Sequence, residues 1–102
     1  MKTYIAERRL LYSEKGADSR KGFVIRISAP YTVDEKSLGY VAGEEFSACD
    51  VDIDGLDEEH TTVYGMDSVQ ALNLATNLEP YLSRLQKKYD LYWSDGEPYF
   101  EE

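Results

Sequence analysis

The sequence predicts an α+β domain spanning residues 1–102: an antiparallel sheet of four to five strands with one long amphipathic helix packed on one face, in the order β-β-β-β-α-β. Three observations predict it. "KGFVIRISAP" alternates with period two, Phe23, Ile25, Ile27 and Ala29 pointing one way and Val24, Arg26 and Ser28 the other. "GEEFSACDVDI" alternates likewise, with Ser47, Cys49, Val51 and Ile53 on one face and Asp50 and Asp52 on the other. From Ser68 to about Lys88 the period changes, and Ala71, Leu74, Ala75, Leu78, Leu82, Leu85 and Tyr89 fall on one helical face.

Each element follows in order. "TYIAERRLLYS" (3–13) mixes β-branched, aromatic and charged residues and ends in the turn chemistry of "SEKGADSRKG", so it is a first strand. The second strand is ended by Pro30. A polar stretch from Tyr31 to Glu44, with Gly39 and Gly43, has the composition of a long loop. Residues 45–54 form a third strand and "EHTTVYG" (59–65) a fourth, joined by a turn at Gly55, which makes the first four elements an antiparallel meander.

The helix is marked at both ends. Asp67 can cap it, with Gln70 three residues on as in a capping box, and Arg84, Lys87 and Lys88 sit where the helix dipole favours cations. Pro80 lies opposite the apolar stripe, whose phase persists from Leu78 to Leu82, so a solvent-side kink is expected rather than two helices. "DLYWSDGEPYFEE" then supplies a short fifth strand, a turn at Asp95 and Gly96, and an aromatic, acidic tail.

Composition limits the functions. With 42% hydrophobic and 30% charged residues, the chain has the balance of an ordinary globular domain large enough for a core without disulfides or metal. Twenty acidic against eleven basic residues give a net charge of -9, a field that repels phosphate backbones and argues against nucleic-acid binding. One cysteine, no apolar leader in "MKTYIAERRLLYSEK" and no membrane-length apolar run lead to the expectation of a cytoplasmic protein away from the membrane.

Two candidate sites fail on spacing. "DVDIDGLDEEHT" (50–61) opens like a calcium loop, yet position 12, where a bidentate Glu belongs, is Thr61, and position 8, usually apolar, is Asp57. Residues two apart on one strand face also stand roughly 6.5–7 Å apart, too far to close on one ion. Cys49 and His60 are the one thiol and imidazole in the chain. A hairpin at Gly55 sets His60 opposite Ile53 or Asp54, four or five positions from Cys49, which is roughly 13–17 Å. Catalysis by that pair, zinc binding by it in a monomer and a glycine-rich phosphate loop are therefore not expected. Cys49 reads as a buried, inert core residue.

The aromatic excess, nine tyrosines with Trp93, has two accounts. Tyr and Trp are enriched at interfaces, and "LYWSDGEPYF" sets aromatics beside carboxylates. Alternatively Leu91, Trp93 and Tyr99 or Phe100 close the sheet edge over the helix.

"IAERRL" near the start, "CDVDIDGL" in the middle and "GMDSVQALNLA" at the opening of the helix resemble a family of small uncharacterised bacterial proteins carrying "IAERxL", "IxGL" and "GxDSxQAL" motifs. Gly65, Asp67, Ser68, Gln70, Ala71 and Leu72, with Cys49, Ile53, Gly55 and Leu56, carry the likeness. It implies the same element order and a bacterial origin, and no activity. Gly65 would let the chain turn sharply, Asp67 and Gln70 would form the cap, and Ala71 would let the helix lie close on the sheet. Because Asp67 fills the field at the helix N-terminus, an anion site there is not expected.

The resulting expectation is a non-enzymatic interaction or accessory domain, without cofactor or metal, that docks a basic protein in the manner of a toxin-immunity factor. Its expected surface comprises Asp50, Asp52, Asp54, Asp57, Glu58, Trp93, Tyr99 and Phe100. The alternative is weak cation or small-ligand binding by the carboxylates around Gly55. Monomer and homodimer both stay open, since an exposed edge strand can pair with its twin.

Overall fold

β1 (Tyr4–Glu14) and β2 (Lys21–Ser28) form the first hairpin, pairing from Tyr4↔Ser28 to Tyr12↔Lys21, with Ile5 bulged out of the register. Gly16, at φ 79°, allows the connecting turn. The computed structural model describes residues 3–33, 46–56 and 60–100.

β2 ends just before Pro30, as expected, but the extended chain resumes beyond it. β3 (Tyr31–Val33) resumes the path of β2, and both pair with β4 (Phe46–Asp54), through Ile27↔Val51 on one side of the break and Tyr31↔Ala48 on the other. Ser28, Ala29 and Pro30 thus face only Cys49 and Asp50, a bulge of one extra residue where proline's missing N–H does no harm. Ser28 repairs the ladder there: its hydroxyl accepts from Asp50 N–H at 2.8 Å, and its carbonyl accepts the Cys49 thiol proton at 3.0 Å. The expected loop at 31–44 is therefore corrected at its first three residues, while 34–44 lie outside the described residues.

β5 (Thr61–Gly65) pairs on the other edge of β4, and β6 (Tyr89–Trp93) pairs with β1. The spatial order is β5, β4, β2 with β3, β1, β6, and every pair is antiparallel. The sheet is larger than the expected four to five strands, because β3 joins it.

The long helix is bent, as expected, but the bend interrupts it and falls before Pro80. α1 (Ser68–Thr76) and α2 (Glu79–Leu85) are separated at Asn77 and Leu78. Pro80 is exposed, as its phase requires, and lies in the first turn of α2. A proline ring collides with the carbonyl four residues back, here that of Thr76, so the break falls upstream of the proline itself. The apolar stripe survives: Ala71, Ala75, Leu78, Leu82 and Leu85 are buried against Leu10, Phe23, Ile25, Ile27, Cys49, Val51 and Leu91 of the sheet. Leu74, expected in that stripe, is exposed, and Tyr89 belongs to β6. Asp67 accepts from Gln70 N–H at 2.8 Å, and Gln70 Oε1 accepts from Met66 N–H at 2.6 Å, a capping box displaced by one residue on its return bond.

The tail is bound down. Gly96, at φ 94°, turns the chain; Trp93 N–H then donates to Glu97 O at 2.8 Å, and Tyr99 N–H to Leu91 O at 2.9 Å, laying residues 97–99 along β6.

Candidate interaction surface

α1 and α2 pack on the face built from Leu10, Phe23, Ile25, Ile27, Cys49, Val51 and Leu91, which leaves the opposite face without a described helix. Register and alternation set what this second face displays: Tyr4, Glu7 and Arg9 from β1, Arg26 from β2, Tyr31 from β3, Asp50, Asp52 and Asp54 from β4, and Thr62 and Tyr64 from β5. Tyr4, Tyr31 and Tyr64 are 43%, 44% and 50% exposed. Ala48 lies between Tyr31 and Tyr64 in the register and is fully buried.

The carboxylates differ in their surroundings. Asp50 is only 6% exposed and accepts hydrogen bonds from Tyr31 OH at 2.9 Å and Thr62 Oγ1 at 2.8 Å. It was expected on a solvated face; the bulge at Ser28 and its two hydroxyl donors instead bury it. Asp52 is half-buried and accepts from the Tyr4 hydroxyl. Asp54 is exposed and 3.0 Å from Arg26 Nη1, whose Nε is 3.6 Å from Glu7. The Asp54 carboxylate raises the pKa of that guanidinium. Burial, reinforced by the hydrogen bond to Asp50, raises the pKa of the Tyr31 phenol. Asp57 and Glu58 lie outside the described residues.

The aromatic tail is engaged inside the fold. Arg8 donates to Tyr99 OH at 2.9 Å and sits 5.4 Å from the Trp93 ring centroid. Trp93 and Tyr99 rings are 4.7 Å apart, Tyr99 and Phe100 rings 5.0 Å, and Tyr99 OH donates to Glu79 of α2 at 3.4 Å. Tyr99 and Phe100 are half-buried, and Trp93 keeps 41% exposure. The structure therefore supports the edge-closing account of Trp93, Tyr99 and Phe100.

Cys49 is fully buried, and burial raises its thiol pKa. It stands opposite Val63, three positions from the exposed His60, about 10 Å along the strand rather than the 13–17 Å first expected. The hairpin closes at Val51↔Thr61, a wider connection than a tight turn at Gly55. Gly55 is constrained all the same, with φ at 104° and the site of a Cβ only 2.8 Å from Gly22 O.

A family model described as a domain of unknown function, DUF6968, matches residues 6–100. The chain belongs to that family. The DUF6968 match runs from β1 to Phe100, so the sheet, both helices and most of the tail are family structure. Comparison with curated proteins and with solved structures finds no match. No described helix of this DUF6968 domain is long and apolar enough to cross a membrane.

Sequence reasoning placed the β4 aspartates on the correct face but missed Tyr4, Tyr31 and Tyr64. The shared parity of Thr62 and Tyr64 could have joined Tyr64 to the site; nothing local could have joined Tyr31, which reaches it across a bulge.

Proposed function

We propose that this DUF6968 domain is a non-enzymatic protein-binding module that docks a basic partner on the face of its sheet opposite α1 and α2. The observation that carries the proposal is the set of three half-exposed tyrosines, Tyr4, Tyr31 and Tyr64, on one face with Asp52 and Asp54. Tyrosine offers large, stiff contact area with a polar tip, and carboxylates steer and orient a cationic partner. The net charge of -9 favours the same sign of partner. The expected surface thus contracts: Asp50 is withdrawn into the sheet, Tyr99 and Phe100 into the edge, and the tyrosines take their place. Neutralising a basic toxin in the cytoplasm is one form such docking would take. Weak cation binding around Gly55 draws less support, because Asp54 is turned to Arg26.

The test is affinity capture from the source organism's lysate, comparing wild type with a Tyr64→Ser, Asp54→Asn double variant. A basic protein held at low salt, released at high salt and lost with the variant is the expected result. Capture that is indifferent to the variant overturns the proposed surface.

A further inference from the structure

Glycine within a strand weakens it, and its presence there often marks a close approach by a ligand or another chain. The described glycines outside β2 each have a local reason: Gly16, Gly55 and Gly96 take positive φ, and Gly65 lies against the backbone of α1. Gly22 has neither reason. It pairs with Leu11 inside the ladder of β1 and β2, its φ is not positive, it is exposed, and a Cβ built on it would meet no described atom within 4 Å. Where its side chain would stand there is a cleft of about 390 Å³, on the sheet face opposite α1 and α2. Its floor is apolar, with Leu11 and the buried Val24 beside Gly22, and its rim carries Arg9, Arg26 and Asp54.

We infer that this cleft receives an aromatic side chain of the basic partner, and that Lys or Arg residues next to that ring in the partner's chain meet Asp52 and Asp54. Shape and charge each make part of the choice. An apolar floor favours an apolar body, and two guanidinium groups at the rim favour a ring, whose face attracts cations. The fold makes the same contact close by: Arg20 lies 3.8 Å from the ring centroid of Tyr92, which pairs with Leu11 on the side away from Gly22. Arg9 and Arg26 keep 67% and 32% side-chain exposure, so both reach solvent where the ring would enter. Register then sets the direction. Asp54 stands opposite Val24 and Asp52 opposite Arg26, each one strand, about 5 Å, farther across the sheet. A segment that crosses from the cleft toward β4 thus brings cations over carboxylates immediately after its ring. Aromatic anchors seated in pockets carry much of the binding energy at interfaces. The inference rests on the proposed basic partner and adds the anchor by which it docks.

The experiment titrates the full chain with three short synthetic peptides: one with a tryptophan followed by two lysines, one with alanine in place of the tryptophan, and one with glutamates in place of the lysines. The tryptophan-lysine peptide should bind and shift the methyl signals of Leu11 and Val24 in NMR spectra, and each of the other two should bind at least about tenfold more weakly. Gly22→Val fills the cleft with a residue suited to a strand. Its melting temperature should therefore hold, while its affinity for the tryptophan-lysine peptide falls to that of the alanine peptide. Gly22→Ala, which adds one carbon in open space, should lose less. Equal binding of the tryptophan and alanine peptides by the wild type overturns the anchor while leaving charge-driven surface docking standing. Undiminished affinity in Gly22→Val overturns it too, as does equal binding of the glutamate peptide, or no binding of the tryptophan-lysine peptide at millimolar concentration. The surface-docking proposal fails separately, through a captured partner indifferent to the Tyr64 and Asp54 substitutions.

Discussion

Gly65 shows how one residue is fixed by its neighbours. A Cβ built on it would lie 2.5 Å from Ala71 N and 2.9 Å from Gln70 C, both backbone atoms of α1, and its φ is not positive. Its glycine is therefore demanded by the closeness of helix and strand rather than by the sharp turn that the sequence suggests. Gly65→Ala must push α1 off β5, and a loss of about 1–3 kcal/mol of stability is expected from such overpacking. Urea unfolding measures it; an unchanged midpoint would mean that α1 yields freely. Cys49 is set by the same kind of local need: its thiol proton goes to the Ser28 carbonyl inside the bulge, which explains a buried thiol without any chemistry.

At the scale of elements, the helical region divides because two requirements conflict. The stripe from Ala71 to Leu85 demands continuous contact with the sheet, while Pro80 cannot share a turn with the Thr76 carbonyl. A helix bent into two short segments meets both demands. Short helices depend on their ends, and α1 has its cap in Asp67. Asp67→Ala should cost roughly 1 kcal/mol, whereas Asp67→Asn should retain most of the cap. Thermal unfolding of the two variants tests this, and equal losses from both would show that capping is not what Asp67 contributes. The tail is an element too, since its hydrogen bonds close β6 and its rings gather around Arg8.

Across the whole molecule, three groups share one pH signature. Burial raises the pKa of Cys49, of Tyr31 and of Tyr99, the last despite the opposing charge of Arg8. Each keeps its proton to higher pH in the folded chain than in the unfolded one. Their contribution is therefore complete below the ordinary values, 9.0 for the thiol and 10.0 for the phenols, and is lost as pH rises through the raised ones. Melting temperature should fall above about pH 9. The fall should be shallower in Tyr31→Phe, which cannot ionise beside Asp50. An identical slope in the variant would show that Tyr31 ionises as freely folded as unfolded.

What the sequence by itself determined was periodic: strands at β1, β2, β4 and β5, a helical stripe ending near Leu85, the Asp67 cap and the inward face of β4. Periodicity is local, and burial of one face enforces it. What tertiary structure decided was every relation that crosses a break in that pattern. The bulge at Ser28–Pro30 carried the chain from β2 into β3 and brought Tyr31 to Asp50, the tail chose β6 as its support, and Gly65 answered to α1. Which edge the tail covers and which tyrosines share a face depend on register between distant strands, and no local spacing encodes that.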